Sequence, residues 1–259
     1  MKVFSFRNIR VIILLGILAT ALIYTQEQKR NTTAWYKQIT VIIFPINGDG
    51  KAATQEYITR LSTNDFTAID HFFARSGREY QLTAKQPVVS QLGATIKESP
   101  PVPPSSNNVI ATIWWSLKLR YWAYKNTPDT LSNKARIRLY VLYHQANGST
   151  PLAHSLGLQK GLIGVINAYA SKNQTQQNTV VMAHEILHTV GASDKYDAHN
   201  LPIYPTGYAE PEREPIHPQR YAEIMAGRIA IDPHQAKMPD SLRKAKVGEK
   251  TAREINWIQ

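Results

Sequence analysis

Apolar residues in the first half of the chain occur either in strand-like runs or at helical spacing. Residues 39–44 (ITVIIF) form an uninterrupted, mostly β-branched run, which is typical of a buried strand. Over residues 54–75 apolar side chains recur three and four positions apart. This pattern predicts helix, with Asn64 capping a second helix and Gly77 ending it. Residues 87–97 are a further candidate strand.

A proline-rich break at residues 99–106 precedes a second group of predicted elements. Residues 109–124 predict an amphipathic helix whose apolar and aromatic side chains face the core. Residues 136–143 (RIRLYVLY) and 161–170 (GLIGVINAYA) predict strands. The helical side chains expected in the core are Ile110, Ile113, Trp114, Leu117, Tyr121 and Tyr124.

The order of these elements predicts an α/β (α+β) fold with a mixed sheet. At 259 residues the chain is long enough to bury one good-sized core. Beyond Gly191 the periodic pattern is lost, and repeated prolines predict an irregular C-terminal subdomain. A last helix is expected over residues 250–258, where Ile255 and Trp257 offer packing groups.

The N-terminus has the pattern of an export signal. Three basic residues precede an uncharged stretch at residues 11–24 (VIILLGILATALIY). The A-x-A pattern at residues 19–21 lies inside this stretch, which favours an uncleaved signal anchor over a cleaved signal peptide. The positive-inside rule then places residues 1–10 in the cytoplasm and the main domain outside it.

The chain is therefore predicted to have four segments. A cytoplasmic tail (1–10) precedes a transmembrane signal anchor (11–24), a linker (25–36) and a folded domain (37–259). The expected setting is a bacterial inner membrane with the domain facing the periplasm. The alternative is a protein secreted after signal cleavage.

Composition narrows the classes of partner. The formal net charge is +11, but the basic residues are spread along the chain without zinc-finger spacing or an aromatic RNA-binding signature. We therefore expect no nucleic-acid partner, and interpret the charge as a basic surface beside an anionic membrane. The chain has no cysteine, which excludes disulfides, thiolate zinc sites and a cysteine nucleophile.

The candidate chemistry lies in residues 178–197 (NTVVMAHEILHTVGASDKYD). His184 and His188 are four positions apart on a predicted helix, so both imidazoles can reach one zinc ion. Glu185 is placed to accept the proton of the water that zinc activates. Four apolar residues are expected to hold the other side of the helix in a core: Met182, Ala183, Ile186 and Val190.

The boundaries of this helix follow from its polar and glycine residues. Asn178 is a candidate N-cap, and Gly191 is a candidate left-handed residue that closes the helix. A tight turn at Gly191 lets the chain double back. Asp194, three residues further on, can then approach the two histidines.

The pattern formed by His184, Glu185, His188, Gly191 and Asp194 resembles that of the metzincins, H-E-x-x-H-x-x-G-x-x-H/D followed by a Met-turn. The departure is an aspartate where histidine is commoner, although aspartate is an accepted zinc ligand. The resemblance implies a zincin-like mixed sheet with an active-site helix. It also implies a zinc endopeptidase acting on protein or peptide substrates.

The resemblance further implies a buried methionine beneath the zinc site. Met225, within YAEIMAGRIA, fits this Met-turn better than Met238, which lies in a charged stretch. Residues 161–170 would be the edge strand that pairs with extended substrate. The pocket for the residue after the cut would lie near residues 225–231.

Other ligands and other functions stay open. His199 is an alternative third zinc ligand in place of Asp194. A downstream glutamate is another, because thermolysin-like sites use a glutamate as the third ligand. A catalytically silent zincin-fold protein that binds peptides or partner proteins is the main alternative function, and a binder of an anionic envelope polymer is another. The glutamates that could be this downstream zinc ligand are Glu210, Glu212, Glu214 and Glu223. The tyrosines that could assist an oxyanion are Tyr196, Tyr204, Tyr208 and Tyr221.

Overall fold

A computed structural model describes most of the chain. The described residues are 8–16, 19–20, 34–104, 108–128, 137–145, 155–158 and 162–258. Within these ranges, no helix combines the length and apolar character needed to cross a membrane. Of the predicted anchor, residues 11–16 and 19–20 are described and helical, and the remainder lies outside the described residues, as does most of the linker.

A five-stranded mixed sheet forms the centre of the domain. Its strands are β1 (Ile39–Asn47), β2 (Val88–Leu92), β3 (Ile137–His144), β4 (Leu156–Leu158) and β5 (Ile163–Tyr169). They lie in the order β2-β1-β3-β5-β4. All neighbours are parallel except β4, which pairs antiparallel with β5. The predicted mixed α/β class is confirmed.

Helices cover both faces of the sheet. They are α1 (Ala52–Thr59), α2 (Thr67–Glu79), α3 (Val109–Asn126), α4 (Thr175–Thr189) and α5 (Glu249–Glu254). Alternate residues of a strand point to opposite faces. Accordingly, Val41 and Ile43 of β1 share a core with α2 and α4, whereas Ile42 and Phe44 share a second core with α3.

Two predicted boundaries around α2 are wrong. Ser62, rather than Asn64, precedes the short 3-10 turn before α2, and the Ser62 N–H donates to Asp65 Oδ2 at 2.8 Å. Gly77 does not end α2, which continues beyond it. A Cβ at Gly77 would lie 3.0 Å from Pro87, so this glycine permits close packing of the following loop instead.

The predicted core face of α3 is also wrong. The side chains expected in the core are 49–79% exposed. The buried side chains of α3 lie on the opposite face and are Trp115, Leu119, Trp122 and Ala123. Because α3 is apolar on both faces, its periodicity could not select the buried one.

The edge-strand prediction needs a similar correction. Residues 163–169 form an interior strand, since β5 is hydrogen-bonded to both β3 and β4. The chain before β5 supplies an extra strand, β4, which occupies the edge of the described sheet. Three residues without strong alternation carry little strand signal, so the sequence did not reveal β4.

Beyond Gly191 the chain is irregular, as predicted. It contains two small sheets, β6 (Ala222–Glu223) with β9 (Ala245–Lys246) and β7 (Ile229–Asp232) with β8 (Gln235–Lys237). Its buried side chains join the core that α4 shares with the sheet. The last helix ends at Glu254, earlier than expected, and Ile255 and Trp257 are buried after it.

Candidate metal centre

The start of α4 is set by side-chain bonds to the neighbouring strand. The helix begins at Thr175, so the prediction that Asn178 caps it is wrong. Asn178 lies inside the helix, where its Oδ1 accepts from the Tyr169 N–H at 3.1 Å and its Nδ2 donates to the Tyr169 carbonyl at 2.9 Å. This pair of bonds fixes α4 to the end of β5. The four apolar residues predicted to hold α4 in the core are all buried.

The end of α4 is closed by a glycine turn, as predicted. Gly191 has φ +111. The Gly191 N–H donates to the His188 carbonyl at 3.1 Å, and the Ala192 N–H donates to the Leu187 carbonyl at 3.0 Å. These two bonds form a Schellman motif. The chain reverses here and brings Asp194 back to the histidines.

Three ligand atoms converge at this turn. His184 Nε2 and His188 Nε2 lie 3.0 Å apart, and Asp194 Oδ1 lies 3.2 and 3.0 Å from them. Ligand atoms held at about 2.1 Å from a tetrahedral zinc ion lie about 3.4 Å apart. Within the described ranges this is the group of His, Asp and Glu residues that could hold a metal ion.

Backbone carbonyls fix the tautomer of both histidines. His184 Nδ1 lies 2.9 Å from the Ile224 carbonyl oxygen, and His188 Nδ1 lies 2.9 Å from that of Ala192. A carbonyl oxygen only accepts, so each Nδ1 carries the hydrogen. Each Nε2 then presents a lone pair to the converging group, which is the arrangement that metal-binding histidines need.

Electrostatics at this group favour a cation. Burial acts to lower the pKa of His184, but the hydrogen bond to Asp194 and the charge of Glu185 outweigh it and raise that pKa. Burial acts to raise the pKa of Asp194, yet the hydrogen bonds that His184 and His188 donate to it when they are protonated bring that pKa well below its usual range. Three acceptor atoms this close repel one another unless a proton or a metal ion lies among them.

Glu185 is a buried carboxylate with an unused acceptor. Glu185 lies in α4 directly after His184, and the residue is 4% exposed. Among the described residues, no donor bonds to Glu185 Oε2. Burial raises the pKa of Glu185, against the lowering effect of His184 and His188. A buried carboxylate that lacks a donor, on a residue that also lines a cavity beside the ligand group, is a candidate proton acceptor.

A buried ion pair holds the loop that carries Asp194. Lys195 is 4% exposed and its Nζ donates to Glu254 Oε2 at 2.7 Å. The Ser193 N–H donates to the same Glu254 oxygen at 2.9 Å. Glu254, at the end of α5, therefore fixes the residues on both sides of Asp194. Sequence spacing gave no signal for this long-range contact.

Met225 is fully buried and lies in a turn directly after Ile224, whose carbonyl contacts His184. Glu223 organises this turn, since its Oε2 accepts from the Met225 and Ala226 N–H groups at 2.6 and 3.0 Å. The Glu223 Oε1 accepts from the Gly248 N–H and the Thr251 hydroxyl at 3.0 and 2.7 Å. Burial raises the pKa of Glu223, although these bonds act in the opposite direction.

A cavity of about 650 Å³ opens beside His184 and Glu185. Gly227 and Arg228 line it, within the stretch predicted to form the pocket for the residue after the cut. Met238, the methionine judged a poorer Met-turn candidate, also lines this cavity. Five residues with amide side chains also line this cavity: Asn167, Gln174, Gln177, Asn178 and Asn200.

Of the four tyrosines left open, Tyr196 lies at the site. Its ring stacks at 6.4 Å from the His184 ring, and it lines the cavity. Burial and the Asp194 charge raise the pKa of Tyr196, which keeps its hydroxyl protonated. Tyr204 and Tyr208 contact each other edge to face, and Tyr221 lies against Lys246.

The alternative ligands lie elsewhere. His199 is not in the metal-ligand group, and its backbone N–H donates to Asp197. Glu210 pairs with Arg220 and Lys246, and Glu223 is committed to its turn. The Asp194 carboxylate therefore completes the group that the two histidines begin.

Gly157 brings β4 against α4, and sequence reasoning missed it. A Cβ on Gly157 would lie 2.6 Å from His188 Cβ and 2.7 Å from the Glu185 carbonyl oxygen. Gly157 pairs with Gly164 of β5, where a Cβ would lie 2.6 Å from Leu139. The two glycines let the edge strand lie beside the candidate site. A Leu-Gly-Leu segment next to a strand glycine was the available signal.

Comparison with known proteins adds little to this geometry. No protein-family model matches the sequence, and no curated protein does. Among solved structures, a chain from the structure of a chaperone-substrate complex is 12% identical with a TM-score of 0.38. That match covers 85% of this chain and 33% of the other. A TM-score this low supports no argument about fold or function.

Proposed function

We propose that this chain is a zinc metallopeptidase of metzincin type that hydrolyses peptide bonds in protein or peptide substrates. Zinc would be held by His184, His188 and Asp194, with Glu185 as general base. The proposal includes a signal anchor at residues 11–24 that tethers the catalytic domain outside the cytoplasm.

One observation carries the proposal. Three ligand atoms converge within 3.2 Å, and the buried carboxylate of Glu185 follows the first ligand directly with one oxygen unbonded. A structural ion pair needs neither the two fixed histidine tautomers nor the additional orphaned acid. A hydrolytic zinc site needs both.

The chemistry divides between the metal and the chain. Bound zinc would supply Lewis-acid polarisation of the scissile carbonyl and lower the pKa of a water. The Glu185 carboxylate would accept the proton of the attacking water and return it to the leaving nitrogen. Tyr196 lines the same cavity, and its hydroxyl would donate a hydrogen bond to the oxygen on which charge develops.

Substrate binding would use the edge of the sheet. β4 lies against α4, and among the described residues it is hydrogen-bonded to β5 alone. An extended peptide adding to its free side would pair through backbone groups and so be bound with little sequence preference. The side chain after the cut would enter the cavity beside Arg228 and Met238.

Replacing Glu185 by glutamine tests the proposal. The full chain, loaded with zinc, should cleave a mixed peptide library, and Glu185→Gln should lower kcat/KM by about 10³-fold or more. The metal content of the variant should stay unchanged, because Glu185 is not a ligand. Glu212→Gln, at an exposed glutamate outside the site, is the matched control and should keep full activity.

The same experiment separates the alternative function. Each protein is also immobilised on a column, and the library peptides that it retains are identified. If zinc-loaded wild-type protein cleaves no peptide but retains some, and Glu185→Gln retains the same ones, the protein is a silent zincin-like binder. Equal hydrolysis by the wild type and the variant would exclude Glu185 as the base.

A further inference from the structure

Helix α3 carries a broad apolar surface that nothing in the described structure covers. Positions 109 to 124 place these side chains within one side of the helix, opposite the face that packs on the sheet. Trp114 is 60% exposed and Tyr124 is 79% exposed. The members of this α3 outer face are Val109, Ile110, Ile113, Trp114, Leu117, Tyr121 and Tyr124.

This face is too apolar to be ordinary solvated surface. Singly exposed apolar residues are normal, but seven on one side of an 18-residue helix form a contiguous patch. The helix packs on the sheet through its other face. Such a patch marks a surface with an external partner.

The charge on α3 identifies the kind of partner. The helix VIATIWWSLKLRYWAYKN contains basic residues but no acidic one. Lys118 Nζ lies 5.6 Å from the centre of the Trp114 ring, at the border of the outer face. Tryptophan and tyrosine beside aliphatic side chains and lysine are the composition of helices that lie in the headgroup region of a bilayer.

We propose that the α3 outer face lies in the interface of an anionic membrane. The aliphatic and aromatic side chains would enter the boundary between headgroups and acyl chains, and Lys118 would remain with the phosphates. The chain-wide charge of +11 adds attraction to an anionic surface. A second copy of the chain fits less well, because two such faces would oppose like charges.

The N-terminal segment makes this contact geometrically accessible. Nine residues, 25–33, separate the apolar run from the first described residue of the domain, and no conformation of nine residues spans more than about 30 Å. An anchor at residues 11–24 would therefore hold the domain within reach of the bilayer. Helix α3 packs on one face of the sheet and α4 on the other, so membrane contact through α3 leaves the candidate site free.

Because the chain has no cysteine, a single introduced cysteine can be labelled selectively in the full chain. A nitroxide attached at Leu117→Cys reports the α3 outer face, and one at Gln55→Cys reports an exposed position of α1 on the opposite face of the sheet. Each protein is reconstituted in vesicles of phosphatidylcholine with phosphatidylglycerol. The accessibility of the label to oxygen and to a water-soluble nickel chelate is then measured.

We expect the label at position 117 to be at least about threefold less accessible to nickel than the label at position 55, and more accessible to oxygen. Lys118→Glu should reverse part of this protection, whereas Lys85→Glu, at an exposed loop position, should not. Equal, water-like accessibility at both positions would overturn the proposal. Shielding of position 117 from both reagents, together with a doubled mass in detergent, would overturn it in favour of a contact between copies.

Membrane contact through α3 is a property separate from the proposed peptidase activity, and each can be absent without the other. Loss of lipid contact at position 117 would not change zinc binding or hydrolysis. Conversely, a chain without peptidase activity could still place α3 in the interface.

Discussion

Two backbone carbonyls decide which nitrogen of each histidine can bind a metal. Those of Ile224 and Ala192 accept from the Nδ1–H groups and direct both Nε2 atoms to Asp194. Ala192 is placed by the turn that ends α4, and Ile224 by the turn around Met225. The geometry of the ligands is therefore held by main-chain positions that lie outside the H-E-x-x-H pattern itself.

Glu223 is the side chain on which the second of these turns depends. Its two oxygens accept three backbone N–H groups and one hydroxyl. Glu223→Gln would turn an NH₂ group toward N–H donors, and we expect a loss of about 1–3 kcal/mol in the free energy of unfolding. Chemical denaturation measures this loss.

The matched control for Glu223 is Glu249→Gln. Glu249 lies in α5 with 68% of its side chain exposed and pairs with Arg253. Its replacement should change the unfolding free energy by less than about 1 kcal/mol. If both variants were equally stable, the Glu223 bonds would not hold the turn.

For individual side chains, the sequence was most informative where spacing alone brings groups together. His184 and His188 share a helix face, and Gly191 allows the reversal that returns Asp194. Glu223 and Glu254 could not be found in this way. Their partners are distant in the chain or are backbone groups, which leave no pattern of side chains.

The contact between β4 and α4 is the element-scale feature that shapes the site. Gly157 has no room for a side chain, because His188 Cβ and the Glu185 carbonyl lie against it. Gly157→Ala should push β4 away from α4 and weaken zinc affinity by about tenfold or more, as changes in the support of ligands do. Competition with a zinc chelator measures the affinity.

Gly16→Ala serves as the control for this glycine. A Cβ at Gly16 meets nothing within 4 Å, so zinc affinity should be unchanged. Unchanged affinity in Gly157→Ala as well would show that β4 does not support the ligands.

The bonds between Glu254 of α5 and the loop that carries Asp194 should make the free energy of unfolding depend on pH. Burial acts to raise the pKa of Glu254, but hydrogen bonds from Lys195 and Ser193 outweigh it and lower that pKa from its ordinary value. The charged form is thus favoured by folding, so its contribution is present above the unfolded pKa and is lost as pH falls through the folded pKa. Glu254→Gln would remove this contribution.

We expect Glu254→Gln to lower the unfolding free energy by about 2 kcal/mol at neutral pH, because Lys195 is left buried without its partner. The difference from the wild type should shrink below about pH 4. Denaturation of both metal-free proteins from neutral pH to about pH 3 measures it. A difference that stayed constant with pH would contradict this assignment.

The sequence predicted correctly that helix α3 and strand β5 are present. It did not predict which face of the helix is buried or which strand lies at the edge of the sheet. The helix over residues 109–124 is present, but its predicted core face is the exposed one. Residues 163–169 form the predicted strand, but β4 takes the edge. Both errors depend on packing with distant segments, which local periodicity does not contain.

At the scale of the whole molecule, the sheet separates two surfaces with different proposed partners. The candidate metal centre and its cavity lie on the side of α4, where the C-terminal segment completes the core. The α3 outer face lies on the other side. A substrate and a membrane could therefore be bound at the same time.

Metal content shows whether His184, His188 and Asp194 hold one zinc ion, as we propose. Full-length protein is purified, reconstituted with zinc, dialysed and assayed for zinc per chain, beside His184→Ala, Asp194→Ala and the control His199→Ala. We predict about one zinc per chain in the wild type and in His199→Ala, none in His184→Ala and a much weaker site in Asp194→Ala. A folded wild-type protein without zinc, or equal zinc in all four proteins, would contradict the account.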